Sequence, residues 1–456
     1  MRKFVFISTL FFLLFDGAVF SFAGDKKNEW LEKSKIGLKI EMGAHILFQR
    51  DFEGFIANEN GLFLYAASLQ PEIYEELIRP LKLVTDKKKI DSVVGILKKT
   101  SNLPYVILPA KNYDGFCFWD SAVCDYNIKD HTDTKADWLR LAVDSLKEQN
   151  IRVGFSYSII DWHHPSQIQY KKDGSRYAVK MNTVMNEGAK ESYIGYMTEQ
   201  LKELVTGYGA DMIYFDGDWA PWWTPEDAEA LLKKLYEWNP DLIVNNYLGD
   251  RKKHRWGDFD VYKTVIPSKS AVQKRNRPWV FSMNTFTGVD QINNNVLYKQ
   301  IGDFIGKIIS VWEEGGSILI SLDVMNDAIV SEESMKLAAG IGEWFRINGE
   351  IFKDTQIVSD GKIAYPDTVS FYAQDRVYCL QKQNGLWIAE DKPYRLKLPS
   401  SFPDTVVKEA WLLTGEGKIP LIPVSGKDGN TTCLELNPRY RDVYLSLMMP
   451  VYGFEY

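Results

Sequence analysis

The feature that most constrains this chain is a short apolar run, Met212-Ile213-Tyr214-Phe215, that stops on Asp216-Gly217-Asp218-Trp219. An apolar run without polar alternation is the pattern of a strand covered on both faces, as in a parallel sheet. Parallel neighbours need long crossovers, and the chain supplies them. Leu139, Ala142, Val143 and Leu146 recur at helical spacing, as do Ile194, Met197, Leu201, Leu204 and Val205. Further helices are predicted from Pro71 to about Lys99 with a break at Pro80, over Pro225 to Trp238, around Asn294 to Trp312, and over Glu332 to Ile347. Between them lie strand candidates at Lys35 to Glu41, Leu103 to Pro109, Ile151 to Tyr157, Leu242 to Asn245, Phe259 to Val265, Trp279 to Met283 and Ser317 to Leu322. About eight strands alternating with as many helices predict an α/β fold, a (β/α)8-like barrel of the TIM type, over residues 24–354.

Past Asn348-Gly349 the rhythm changes to short alternating runs, at Val369 to Tyr372, Arg376 to Leu380, Leu386 to Ala389, Ala410 to Leu413, Cys433 to Leu436 and Val443 to Leu447. Asn384-Gly385 is a hairpin signal between two of them. Residues 355–456 therefore read as a C-terminal antiparallel β-sandwich domain.

At the other end, Arg2 and Lys3 precede an apolar stretch from Phe4 to Leu14, and Ser21-Phe22-Ala23 has small residues at the cleavage spacing. Residues 1–23 are expected to be a cleaved signal peptide, which predicts a periplasmic or secreted protein without a membrane anchor. A net charge of −7 disfavours nucleic acid as the partner. Cys117, Cys124, Cys379 and Cys433 are too few for a disulfide framework, and Cys117 with Cys124 either pair or remain buried thiols. No Cys-x-x-Cys or His-x-x-x-His spacing occurs, so no metal site is expected.

In a barrel of this kind, groups at the carboxyl ends of strands project into the pocket. Asp216 sits at such an end. A lone aspartate there more often caps the next helix. Its company argues for chemistry, because Trp219, Trp222 and Trp223 supply flat faces suited to the C–H faces of a sugar. His163-His164, on the loop after another strand, either lines the mouth of the pocket or forms a surface pair.

Several stretches together carry a resemblance. They are Lys111-x-x-Asp114-Gly115-Phe116-x-x-Trp119-Asp120-Ser121 with Tyr126-Asn127, and Gly154-Phe155-Ser156-Tyr157-Ser158 with Asp161-Trp162. Leu201-Lys202-Glu203-Leu204-Val205 leads on to Asp216-Gly217; later come Gly315-Gly316-Ser317-Ile318-Leu319-Ile320 and Ile341-Gly342-Glu343-Trp344-Phe345-x-x-Asn348-Gly349-Glu350. In order and spacing the chain resembles the α-L-fucosidases of glycoside hydrolase family 29. The resemblance implies a distorted (β/α) barrel followed by a β-sandwich, and retaining double displacement on the end of an oligosaccharide or glycoconjugate with no cofactor. It implies Asp216 as nucleophile and Tyr157 as a neighbour of that nucleophile. Asn112, Tyr113, Trp119, His163, Trp219 and Tyr247 are the accompanying candidates for sugar contact.

Departures from the family pattern are specific. Glu41-Met42-Gly43 stands where the family has His-Trp-Gly, Asn112-Tyr113 where it has His-His, and Tyr247 where it has arginine. These positions read sugar hydroxyls or support the nucleophile, so a related sugar such as an α-L-galactoside is the nearest alternative. The family's acid/base positions match Lys263 and Val280, neither of which is a carboxylate. Glu41, Asp260 and Asp258 are the possible substitutes, and a carbohydrate-binding homologue with impaired hydrolysis is the alternative from another class.

Overall fold

Alternation of strand and helix is realised in the computed structural model, which describes residues 27–42, 78–101, 104–161, 163–167, 187–249, 256–274, 276–284, 294–323 and 332–352. In the C-terminal part it describes 356–357, 368–372, 376–381, 393–398, 406–427, 429–440, 442–443, 447 and 450–455. The predicted signal peptide, the Asn384-Gly385 turn, the strand expected at Leu386 to Ala389 and most of that at Val443 to Leu447 lie outside the described residues.

Eight parallel strands form one sheet: β1 (Ile36–Glu41), β2 (Tyr105–Lys111), β3 (Arg152–Ser158), β4 (Met212–Asp216), β5 (Ile243–Val244), β6 (Asp260–Tyr262), β7 (Trp279–Asn284) and β8 (Ser317–Asp323). Their order is β5-β4-β3-β2-β1-β8-β7-β6. The two edge strands are joined by a single parallel bridge, Asn245 to Phe259, which curls the sheet into the expected barrel. The crossovers are α1 (Lys87–Ser101), α2 (Trp138–Glu148), α3 (Glu187–Lys202), α4 (Pro225–Trp238) and α5 (Asn294–Glu313), with α6 (Glu332–Asn348) after β8. Of the helical region expected from Pro71 with a break at Pro80, Ile78 is helical, residues 79–80 turn, and helix resumes at Lys87.

Local chemistry sets the helix starts. Thr224 and Asp227 form a reciprocal capping box with Pro225 in the first turn of α4. Asp137 accepts from the Arg140 N–H at the start of α2. Both helices bury an apolar stripe, Leu231 and Leu235 in α4, Leu139, Val143 and Leu146 in α2.

Closure at the seam is chemically unusual, because β5 has only two residues and β6 three. Side-chain amides replace the missing ladder. Asn245 accepts from the Phe215 N–H at 2.7 Å and donates to the Phe215 carbonyl at 2.9 Å, all buried. Asn246 accepts from the Val261 N–H at 3.0 Å, and Asp258 Oδ2 accepts from the Val244 N–H at 2.8 Å. The strands expected at Leu242 to Asn245 and Phe259 to Val265 are thus shortened where these side chains take over the pairing.

Past α6 come β9 (Gln356–Ile357), β10 (Thr368–Tyr372), β11 (Arg376–Gln381), β12 (Tyr394–Lys397), β13 (Glu409–Thr414), β14 (Gly417–Pro420), β15 (Ile422–Ser425), β16 (Thr431–Leu436) and β17 (Val451–Glu455). They make two antiparallel sheets, β14-β13-β17-β11-β10-β9 and β12-β16-β15. Val377, Cys379, Leu412 and Phe454 of the larger sheet share a core with Leu396, Leu434 and Leu436 of the smaller. The other face of the larger sheet, Tyr378, Leu380, Trp411 and Val451, joins the core of the barrel. This is the period-2 division of labour that the sequence predicts for a sandwich.

Removing the Asn245 amide strands two buried backbone groups of Phe215. Asn245→Ala is expected to lower the urea midpoint by the equivalent of about 2–4 kcal/mol. A loss below about 0.5 kcal/mol would show that the amide does not hold the seam.

Candidate functional site

Register decides which side chains enter the barrel, because paired positions on neighbouring strands face the same way. Ser158 pairs with Asp216, Lys39 with Ser321, and Glu41 with Asp323. Lys39, Glu41, Ser321, Tyr214 and Asp216 therefore face the lumen, with Lys263 one residue beyond β6 at its carboxyl end.

Asp216 is held from several sides. Its Oδ1 accepts from the Gly217 N–H at 2.8 Å, and its backbone carbonyl accepts from the Ile159 N–H at 2.9 Å. Gly217 has φ of 87° and lies against Ile160, where a Cβ would come within 3.1 Å of the Ile160 nitrogen. A side chain at 217 would be strained in that conformation. Lys263 Nζ lies 3.4 Å from Asp216 Oδ2, and the Tyr113 hydroxyl donates to the same carboxylate. Partial burial pushes the Asp216 carboxyl up, but Lys263, the Gly217 N–H, Lys39 and Tyr113 together outweigh it and hold it below the usual aspartate value.

Glu41 is arranged in parallel. Its Oε1 meets Lys39 Nζ at 2.5 Å and the Ser321 hydroxyl at 3.0 Å. Burial again opposes ionisation, and Lys39, Ser321 and Lys263 overcome it, so this carboxyl too is held low. Two carboxylates and two ammonium groups thus alternate across the lumen. Burial alone would favour the neutral amine of Lys263, but Asp216, Tyr247 and Glu41 act against it and by more, so the ammonium is stabilised and its pKa raised.

An aromatic wall completes the site. Tyr113 and Trp219 have ring centroids 6.0 Å apart at 35°. The Trp219 indole hydrogen-bonds the Tyr113 hydroxyl, and burial together with the Asp216 carboxylate drives the Tyr113 phenol well above its usual range. Trp219 is 39% exposed, a large face left open to solvent. Tyr247 lies 6.2 Å from Tyr214 and under Lys263 Nζ, 5.0 Å from the ring centroid. Asn112 donates to the Met42 carbonyl and so ties the end of β2 to the end of β1.

Other candidates are placed elsewhere. Asp260 pairs with Trp279 in register, facing away from the lumen, and meets Arg277 Nε at 3.7 Å. Asp258 is held by Lys27 at 3.0 Å, by the Tyr236 hydroxyl and by the Val244 N–H. Neither joins Asp216, because one strand step turns a side chain to the opposite face. Tyr157 shares the outer face with Phe215 and donates to Gln200 Oε1 at 2.6 Å. Trp119 is buried and donates to Glu203 Oε2 at 2.8 Å. His163 stacks on Tyr126, centroids 4.0 Å apart. Trp222 and Trp223 are buried packing residues, the latter donating to the Leu248 carbonyl at 2.9 Å.

These outer residues brace the loops that carry the pocket. Lys111 and Asp161, both essentially without solvent contact, lie 3.2 Å apart, with the Tyr193 hydroxyl accepting from Lys111 at 3.0 Å. Asp161 Oδ1 also accepts from the His163 and His164 N–H groups at 3.0 and 2.8 Å. Glu203, first residue of a π turn over Glu203–Gly207, accepts from Trp119, Ser121 and the Ala122 N–H, each at 2.8 Å. Lys39, Ser321, Tyr214 and Asn245 belong to the site or its frame without having been singled out by sequence. A signal for Lys39 exists, since residues two apart on a strand share a face and Glu41 is its partner at that spacing. The others depend on pairings between distant strands.

Comparisons with known proteins agree with this architecture. A family model described as Alpha-L-fucosidase matches residues 94–350. Tissue alpha-L-fucosidase of Rattus norvegicus is 26% identical over 273 residues, which is 56% of this chain and 53% of that protein. The Homo sapiens tissue enzyme is 24% identical over 268 residues, 56% of this chain and 53% of that protein. The match thus spans about half the length of these curated relatives. Among solved structures, alpha-L-fucosidase isoenzyme 1 from Paenibacillus thiaminolyticus superposes with a TM-score of 0.72 at 20% identity, covering 94% of this chain and 98% of that one. A GH29 alpha-L-fucosidase from Bacteroides thetaiotaomicron, trapped as a covalent intermediate with 2-fluoro-fucosyl fluoride, gives 0.68 at 19% identity, covering 94% and 96%. At these identities the structures establish the shared fold.

The Lys111–Asp161 pair generates a stability prediction. Burial opposes the Asp161 charge, but Lys111 and the two histidines hold its carboxyl below the usual value. A carboxyl lower in the folded state than in the unfolded chain stabilises fully above the unfolded value, and that stability is lost as pH falls through the folded one. Asp161→Asn, which leaves the Lys111 charge buried and unpaired, is expected to cost about 3–5 kcal/mol near neutrality. It should also flatten part of the wild-type loss of stability below about pH 4. Identical acid slopes for the two chains in chemical unfolding would contradict this.

Proposed function

Because the chain belongs to the α-L-fucosidase family, we propose that it is a retaining exo-glycosidase that releases terminal α-L-fucosyl residues from oligosaccharides or glycoconjugates. The observation that carries this reading is Asp216: an ionised carboxylate at the carboxyl end of a barrel strand, beside a half-open aromatic wall. In the proposed first step an Asp216 oxygen attacks the anomeric carbon, and the glycosidic C–O bond breaks with its electron pair going to the leaving oxygen. Water then attacks the same carbon, gives up a proton to a base, and returns Asp216 as a carboxylate. The sugar's apolar face fits the Trp219 ring, while Tyr113 donates to the attacking carboxylate.

Glu41 is the only one of the three substitutes considered that shares the lumen with Asp216. Held ionised by Lys39 and Ser321, it suits the base role in the second step better than protonation of a leaving group in the first. The reading therefore includes a leaving-group dependence. Aryl α-L-fucosides, whose phenolates depart without a proton, should turn over faster than alkyl fucosides or disaccharides. The predicted signal peptide supports an exported enzyme.

In assays with an aryl α-L-fucoside, Asp216→Ala should abolish turnover, and Glu41→Gln should slow it by about a hundredfold or more. Wild-type turnover unaffected by Asp216→Ala would remove the nucleophile from this account. Binding of fucose by calorimetry with no cleavage of any glycoside would favour an impaired carbohydrate-binding homologue. An aryl α-L-galactoside cleaved in preference to the fucoside would reassign the sugar.

A further inference from the structure

We propose that Lys263 is a positioning residue of the reaction, the counter-ion of the attacking carboxylate, and that it favours opening of the glycosyl ester over its formation. This rests on the glycosidase reading for its kinetic part. Its electrostatic part stands on geometry alone.

Lys263 comes from the carboxyl end of β6, two strands away from Asp216 in the closed barrel. Inward side chains of alternate strands meet inside a closed barrel, and these two do so. Here β5 ends at Val244, the chain beyond it contributes the Asn245 and Asn246 side chains to the seam, and Lys263 Nζ reaches to 3.4 Å from Asp216 Oδ2. The ammonium is steadied over the Tyr247 ring at 5.0 Å. The lysine occupies one of the positions where the family resemblance implies a carboxylate, and a cation there reverses the local charge.

Among the described residues, the groups facing Asp216 come from several elements around it. Lys263 stands on the β6 side, Lys39 on β1, Tyr113 on the loop after β2, the Gly217 N–H on its own strand's continuation, and Tyr214 on the same strand. Glu41 faces the same cluster through Lys39, Lys263 and Tyr214. Lys263 is the largest cationic influence on Asp216 in this set.

Its consequence for the two steps is a matter of charge balance. In the first step Asp216 loses its negative charge as the C–O bond to the sugar forms, and the attraction to Lys263 is lost with it. In the second step, water adds to the anomeric carbon, the ester C–O bond breaks, and the electron pair returns to Asp216, restoring that attraction. A cation fixed beside the carboxylate thus makes Asp216 a weaker nucleophile and a better leaving group.

The full-length chain carrying aspartate labelled with carbon-13 at the side-chain carboxyl tests this, with Asp216→Asn identifying the signal. In Lys263→Met the titration midpoint of Asp216 should rise by about one unit or more, while Lys263→Arg should stay close to wild type. Lys263 is half-exposed, so these substitutions leave no cavity in the core. With an aryl α-L-fucoside, the acid limb of kcat/KM should move with the midpoint, and the pre-steady-state burst should grow as ester accumulates. A midpoint in Lys263→Met within about 0.3 units of wild type would overturn the counter-ion role. A raised midpoint with a smaller burst would overturn the assignment to ester opening. A raised midpoint in a chain whose wild type cleaves no aryl glycoside would uphold the counter-ion role and defeat the glycosidase reading instead.

Discussion

Two hydrogen bonds from one buried amide organise this barrel. Asn245 satisfies both backbone groups of Phe215, the residue before Asp216, in the place where a longer β5 would have done so. Buried backbone groups must find partners, so the substitution of side chain for ladder is obligatory once β5 stops after two residues. The exchange fixes the height and direction of Asp216. Inside the barrel Asp216 then meets Lys263 from the next strand but one.

The pocket built on that seam is rich in charge yet locally balanced. Lys39 answers Glu41, and Lys263 answers Asp216, at 2.5 and 3.4 Å. Partly buried carboxylates ordinarily drift toward the neutral form, and an ammonium within hydrogen-bonding reach reverses that drift. The arrangement therefore keeps both acids ionised, each with an ammonium at its side. Tyr113 and Trp219 add an oriented donor and an open ring face, the features on which the proposed sugar would rest.

Much of the fold is legible in the sequence because its signals are local. The continuous run before Asp216, the helical spacing in α2 and α4, and the shift to period-2 runs after Asn348 each report burial on a scale of a few residues. The site is legible only where a residue ends a strand. Asp216, Glu41, Tyr113 and Trp219 come together as their positions suggest. Trp119, Tyr157 and Asp260 do not, because motif membership does not say which face of a strand or loop a side chain takes. Trp119 serves Glu203, Tyr157 serves Gln200 and Asp260 serves Arg277. In sequence Lys263 reads as a missing acid; its role as partner to Asp216 depends on a contact between alternate strands inside the barrel, which no local pattern announces.

The π turn at the end of α3 has its own implication. Glu203 reaches three donors of the aromatic loop from the point where α3 widens, and the turn that follows takes up one residue more than ordinary winding. Excising one residue from 203–207 would let ordinary winding resume with the flanking residues in phase, whereas excising one from the α-helical part of α3 would turn Glu203 by about 100° around the axis. In the second case the loop that begins at Tyr113 would lose its tether, so the length of this crossover is as much a part of the pocket as the side chains that line it.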